Sequence, residues 1–299
     1  MRALLLYYTG TFNTRYITNI IEKRLVLAGF RVDKLEIDGF TKPISLVNYD
    51  LIGLGYPIYA FNTPKIFIKY LKALKFNNSA KYFIYKNSGE TYAANNSSSW
   101  QIKHILKKNK CILKNEHHFV MPYNIHFRFE DNCIKEMLHY DDKLADILVY
   151  EITHDIEKVI KSNWVYNFNS WLFLIQRFGA KINHSFYTVN YDRCIHCNLC
   201  VNTCPTKNIE VKPDGKLRFK NDCQMCMRCS LNCPKDAIKI GLLEMWHVNK
   251  PYNFREILND AKLDGHFIHD GQKGFFKCYV KTYHQIDETY AKYFKNEQQ

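Results

Sequence analysis

The sequence predicts an α/β chain, a doubly wound parallel sheet joined to a small α+β domain built around cysteines. Two observations predict it. Over the first 121 residues short apolar runs alternate with segments whose apolar residues recur at helical spacing, the pattern of strands joined by crossover helices. Between residues 194 and 240 an internal repeat gathers eight of the eleven cysteines. The 299 residues suggest about two domains, with enough material for an ordinary core.

Residues 2–8 form an apolar run bounded by Gly10, as in a buried parallel strand. The polar loop Thr9, Gly10, Thr11, Phe12, Asn13, Thr14 follows, then Ile17, Ile20, Ile21, Leu25 and Leu27 at helical spacing. A strand, a polar loop and a helix build a phosphate site, because hydroxyls and backbone N–H groups converge where the helix dipole is positive. Asn13 or Thr14 is the expected cap. Further strands are expected at 32–37, 50–55 and 81–85 and near 118–121, with helices at 66–74 (Pro64 in its first turn) and 98–108. The closing helix is read over 135–161 from Met137, Leu144, Ile147, Leu148, Ile152, Ile156 and Ile160. Ligands of such sheets sit outside the carboxyl ends of the strands. Three loops reach that edge: residues 9–14; Pro57, Ile58, Tyr59, Ala60 and Phe61; and Asn87, Ser88, Gly89, Glu90 and Tyr92.

Thr9, Thr11, Asn13 and Thr14 match, residue by residue, the phosphate loop Ser/Thr-x-Thr-Gly-Asn-Thr of flavodoxins, which residues 1–161 resemble. The resemblance implies strand order 2-1-3-4-5 and bound FMN, its phosphate on residues 9–14 and its ring flanked by Tyr59, Phe61 and Tyr92. Phe12 stands where the family has glycine, a position that tolerates positive φ and close approach.

Residues 162–190 are rich in Trp, Tyr, Phe and Asn and are expected to form a packed bridge, with a short helix over 171–178. After the cysteine domain, 191–242, comes a C-terminal extension, 243–299. It is helix-like over 254–263, alternates aromatic and charged residues over 277–293, and is expected to wrap onto the cysteine domain.

The repeat reads C-x2-C-x2-C-x3-C-P twice, ending at Pro205 and Pro234. Cys223, Cys226, Cys229 and Cys233 each lie 29 residues after Cys194, Cys197, Cys200 and Cys204. Three thiolates at two-residue gaps converge on three corners of a cubane, and the local chain cannot reach the fourth. In this motif the fourth cysteine of each run ligates the opposite cluster. One [4Fe-4S] cluster is therefore assigned to Cys194, Cys197, Cys200 and Cys233, and the other to Cys223, Cys226, Cys229 and Cys204. Ile209 and Val211 are expected to pair with Ile238 and Ile240 as short covering strands. Zinc sites take two pairs of ligands and lack the third close cysteine and the proline, and disulfide frameworks suit short secreted chains. The segment resembles a bacterial two-cluster ferredoxin. Cys111, Cys133 and Cys278 are read as small hydrophobes, and His117, His118 and His196 are ungrouped.

The formal charge of +13 falls to roughly +9 once two clusters are bound, and the remaining lysines are read as a solvated surface rather than a nucleic-acid groove. No apolar run is long enough to span a bilayer, and no signal peptide is read at the start, so a reducing cytoplasm is expected. The whole chain resembles the flavodoxin-ferredoxin fusion proteins of anaerobes, which implies an electron carrier relaying between FMN, two clusters and a redox partner protein. Two alternatives stand beside it. One is a flavin-dependent reductase of a small substrate, with Tyr59, Glu90 or Tyr92 as proton donor; the other is an iron-sulfur redox sensor.

Overall fold

The computed structural model describes residues 1–294. The last five residues of the expected C-terminal extension, 295–299, lie outside the described residues.

The first half runs β1 (Arg2–Tyr7), α1 (Asn13–Leu27), β2 (Arg31–Glu36), β3 (Leu51–Pro57), α2 (Lys65–Ala73), β4 (Lys81–Ser88), α3 (Trp100–Lys108), β5 (Ile112–Val120) and α4 (Asp131–Thr153). All five strands are parallel in the order β2-β1-β3-β4-β5, the flavodoxin-like order. Side chains alternate across a strand, so one apolar run serves two cores. In β1, Ala3, Leu5 and Tyr7 face α1 and α4, where Ile17, Ile21, Met137 and Leu148 are buried. Leu4 and Leu6 face α2 and α3, with Phe67, Leu71, Ile102 and Leu106.

Two helix ends differ from expectation. Pro64 is the extended residue before α2 rather than part of its first turn. The closing helix starts at Asp131 and stops at Thr153. There Asp155 takes φ 53°, and its N–H and that of Ile156 donate back to the carbonyls of Ile152 and Glu151, a Schellman end. The chain then runs alongside β5, with Lys158 paired to Asn115, so Ile156 and Ile160 belong to an extended segment and not to the helix.

Residues 164–186 are helical almost without a break, as α5 (Trp164–Leu172), a 3₁₀ turn, α6 (Gln176–Asn183) and a second 3₁₀ turn. After it come β6 (Thr188–Val189), α7 (Leu199–Asn202), β7 (Ile209–Val211), β8 (Leu217–Phe219), α8 (Arg228–Leu231) and β9 (Ile238–Lys239). The expected pairing of 209–211 with 238–240 is not formed. Instead β7 pairs antiparallel with β8, across a turn in which Gly215 takes φ 78°, and β9 pairs with β6. A tight turn offers β7 a partner at short range, which leaves β9 to the strand that precedes the first cysteine.

The tail forms α9 (Phe254–Asn259) and α10 (Lys277–Phe294). Both helices pack on α4, whereas residues 243–249 meet the cysteine domain, through Leu243 against Met227, Ile238 and Ile240 and through Asn249 Nδ2, 3.3 Å from Asp236 Oδ2. Tyr279, Tyr283 and Ile286, at helical spacing, enter the core shared by α1 and α4. Tyr283 stacks on Tyr140 with ring centroids 3.7 Å apart, and Asp287 accepts from the Tyr140 hydroxyl and from Lys143.

Candidate functional site

Parallel strands place every loop that follows a strand at one edge, and the loops after β1, β3, β4 and β5 meet there. Together with α6 and residues 221–227 they enclose a cavity of about 620 Å³, within the usual size of a small-molecule site. Thr9, Gly10, Thr11, Asn13 and Thr14 line it, as do Pro57, Ile58, Tyr59, Ala60, Phe61, Asn87, Ser88, Gly89 and Glu90.

Phe12 and Tyr92 do not line it, contrary to expectation. Tyr92 is exposed and packs edge-on against Phe275, because the third loop is tied to the tail: Thr91 donates to the Cys278 carbonyl and Tyr279 to that of Gly89. Phe12 takes the left-handed φ of 75° that glycine adopts most easily, and it is not among the residues lining the cavity. The Arg15 and Arg228 guanidinium groups lie 4.5 and 5.2 Å from its ring centroid. The left-handed conformation costs about 1–2 kcal/mol, which two cation–π contacts and ring burial offset.

The start of α1 has no side-chain cap, contrary to expectation. Asn13 Nδ2 donates instead to the Pro122 carbonyl at 2.8 Å, and Thr14 Oγ1 donates to Asn87 Oδ1 at 2.8 Å. Thr9 Oγ1 is buried with no hydrogen-bond partner among the described residues. An uncapped helix start beside an orphaned buried hydroxyl fits a phosphate group. Gly10 is required by crowding: a Cβ there would meet Tyr59 Oη at 2.2 Å and the Cys226 carbonyl at 3.0 Å.

The eight repeat cysteines are free thiols arranged in two sets. Cys194, Cys197, Cys200 and Cys233 line one small cavity, and Cys204, Cys223, Cys226 and Cys229 line another. Among the described residues no three His, Cys, Asp or Glu converge on a single-ion position. A cubane, with an iron at each ligand, does not require that they do. The repeat extends to the backbone. His196, Asn198 and Lys207 take positive φ, and so do Met225, Met227 and Asp236, their counterparts 29 residues on. The N–H groups of Asn208 and Ala237, again repeat partners, donate to Cys204 Sγ at 3.2 Å and Cys233 Sγ at 3.3 Å. Burial pushes the Cys200 thiol up to about 11 and the Cys223 thiol up to about 12.

One side chain joins the two sites. Arg228, buried between Cys226 and Cys229, donates from Nε to the Gly10 carbonyl and from Nη2 to the Thr9 carbonyl, both at 2.6 Å. Its third partner is the Thr203 carbonyl at 3.1 Å, and Glu36 Oε1 is 3.4 Å away. Asn124 Nδ2 bridges the same seam, 3.2 Å from Thr11 Oγ1 and 3.4 Å from the Cys226 carbonyl. Sequence reasoning missed Arg228, the loop of residues 121–126, and Phe173, Gln176, Ala180 and Asn183 on the bridge. The loop was legible, since a fifth parallel strand must end at the same edge. Arg228 was visible as the residue that replaces Leu199 in the second copy of the repeat.

The ungrouped residues are spread over the fold. His117 is buried, with Nε2 2.6 Å from Glu151 Oε2, and His118 Nε2 is 2.8 Å from Ser88 Oγ. His196 is exposed. Cys133 is buried, whereas Cys111 and Cys278 are half-buried.

Residues 179–238 match the family model of the 4Fe-4S dicluster domain. A ferredoxin of Methanothermococcus thermolithotrophicus is 41% identical over 56 residues, which are 18% of this chain and 93% of that protein. Among solved structures, a flavodoxin of Streptococcus pneumoniae TIGR4 is 17% identical with a TM-score of 0.36, over 50% of this chain and 99% of its own. Flavodoxin 2 of Bacillus cereus is 15% identical with a TM-score of 0.38, over 52% and 100%. With the cysteine domain matched in sequence and the parallel sheet in strand order, the chain belongs to the ferredoxins, as a fusion of a flavodoxin-like domain with a 4Fe-4S ferredoxin domain.

Proposed function

We propose that this electron-transfer protein relays electrons between FMN in the cavity at the sheet edge, two [4Fe-4S] clusters and a partner protein. The observation that supports it most is the shared wall: Cys226, a candidate ligand of the second cluster, packs on Gly10 of the candidate phosphate loop. A flavin exchanges one or two electrons and each cubane one, which is the chemistry the bound groups would supply.

The chain's own residues set the geometry. The Thr9 and Thr11 hydroxyls with the start of α1 would hold the phosphate, and Arg228 adds a buried positive charge behind them. Arg228 also fixes the loop to the cysteine domain through two carbonyls, those of Thr9 and Gly10, so the distance between the two sites is set by short hydrogen bonds and not by a tether. Cys204, Cys223, Cys226 and Cys229 would hold the cluster beside the flavin. Cys194, Cys197, Cys200 and Cys233 would hold the outer one, where exposed Cys197 offers the partner its approach.

A flavin-dependent reductase is the second reading. Two of its three expected proton donors, Tyr59 and Glu90, line the cavity, whereas Tyr92 does not. Glu90 accepts from Tyr123 and from Asn95 Nδ2, the latter at 3.0 Å, and burial pushes the Tyr59 phenol up.

Iron, acid-labile sulfide and noncovalent FMN counted anaerobically on one preparation test the relay. About eight iron, eight sulfide and one FMN per chain are expected. Iron without flavin that added FMN cannot restore would leave a ferredoxin alone, and zinc in place of iron would overturn the reading. Turnover of a small substrate by the reduced protein with no partner present would favour the reductase.

A further inference from the structure

The bridge carries a surface that the relay does not use. Along the helical stretch 164–186, Trp164, Phe168, Trp171, Ile175, Phe178 and Ile182 recur at three- and four-residue spacing, which places them in one stripe. All six are exposed, Trp164 to 79% and Ile175 to 70%. The opposite side of the same stretch carries buried Ser170 and the cavity-lining residues Phe173, Ala180 and Asn183.

The turn at residues 241–246 abuts the bridge. It is fixed to α6 by hydrogen bonds from Asn183 Nδ2 to the Ile240 carbonyl at 3.0 Å and from the Leu242 N–H to Asn183 Oδ1 at 2.8 Å. Leu242, Met245 and Trp246 on that turn are exposed as well. Trp164 and Trp171, two of the chain's four tryptophans, lie on the stripe, whereas Trp100 donates inward to Asn62 Oδ1 and Trp246 lines the cavity edge-on against His126.

Charge distinguishes the candidate occupants. From Lys158 to Tyr191 the chain contains no Asp or Glu, only Lys158, Lys161, Arg177 and Lys181. Glu244, on the neighbouring turn, is engaged by the Ile240 N–H at 2.7 Å and lies 3.4 Å from His247. Exposed tryptophan and phenylalanine in a segment whose sequence carries cations and no acid are the composition of a helix lying in the headgroup region of an anionic bilayer. Among the described residues no helix is long and apolar enough to cross a membrane.

We infer that residues 164–186, with the turn at 241–246, form a membrane-surface helix that seats the protein on anionic lipid, with the wall of the cavity as its inner face. The occupant is a bilayer rich in anionic headgroups.

The test uses the full chain with its clusters in place and vesicles of phosphatidylcholine, alone or with about one third phosphatidylglycerol, floated on a density step at low salt. The chain is expected to float with the anionic vesicles at least roughly tenfold more than with phosphatidylcholine alone, and to be released by high salt. Lipids brominated on the acyl chain are expected to quench its tryptophan emission. The triple variant Trp164→Ser, Ile175→Ser, Phe178→Ser is expected to lose roughly tenfold or more of the partition, with iron content and circular dichroism unchanged. Failure of the unaltered chain to float with anionic vesicles would overturn the inference, as would flotation that the triple variant leaves intact. So would a dimer in sedimentation equilibrium that the variant dissolves, since it would assign the stripe to a second copy of the chain. None of these readouts depends on flavin content, so the relay and the membrane contact can fail separately.

Discussion

In the first copy of the cysteine repeat Cys197 is exposed and Leu199 faces solvent, whereas Cys226 and Arg228, the residues 29 positions on, are buried against the loop after β1. The backbone hardly distinguishes the copies. Both place left-handed residues at matching positions, both follow them with a four-residue helix, and both give the last cysteine an N–H donor four residues ahead. The difference is one of neighbours, and a single exchange of leucine for arginine carries much of it. A buried guanidinium with three carbonyl acceptors binds a polar loop edge that leucine could only cover. Two sites of one local design thereby become an inner and an outer site.

The largest expected effect comes from the ligands. Cys197→Ser and Cys226→Ser should each remove one cluster, with iron falling from about eight to about four per chain. Only Cys226→Ser should also weaken FMN retention, because it disturbs the packing on Gly10. Equal flavin content in the two variants, measured after gel filtration, would dissolve the inner-outer distinction.

Arg228→Leu makes the second copy like the first. It removes two short charge-assisted hydrogen bonds and leaves the Thr9 and Gly10 carbonyls without a donor, which should destabilise the chain by about 2–4 kcal/mol in a denaturant titration. A loss below about 1 kcal/mol would show that the loop and the cysteine domain are joined by other contacts.

Phe12 separates backbone strain from ring contacts. Phe12→Ala loses the ring and keeps the left-handed penalty, whereas Phe12→Gly loses the ring and the penalty together. The alanine variant should therefore be less stable than the glycine variant by about 1 kcal/mol. The reverse order would mean that the loop relaxes out of φ 75° once the ring is gone.

Leu199→Arg is the smallest test. An arginine on the exposed copy has no carbonyls to meet and should change stability by less than about 0.5 kcal/mol. A larger gain would reveal a partner surface at the outer site.

Much of this architecture was legible, for reasons that particular residues show. Leu4, Leu5 and Leu6 serve two faces and so read as a buried strand, and the spacing of eight cysteines leaves few chemistries open. What misled was pattern that outlived its element. Ile156 and Ile160 keep helical spacing beyond α4, but Asp155 turns the chain first. The aromatic alternation of the tail said that it packs, not on what, and its buried face meets α4 because Tyr140 and Lys143 offer partners there. Tyr92 sat in a loop that reaches the cavity edge, yet the tail pulls it to the outside.

By itself the sequence determined the parallel sheet, the edge at which its loops meet and the grouping of eight cysteines into two sets of four, since each follows from local periodicity, spacing or strand direction. The tertiary structure alone decided that the second cysteine set is the inner one, that Arg228 clamps the loop after β1, and that the bridge turns one face to the cavity and leaves the other bare. These depend on contacts between residues some two hundred positions apart, or on which side of a helix finds a neighbour, and no local pattern encodes either.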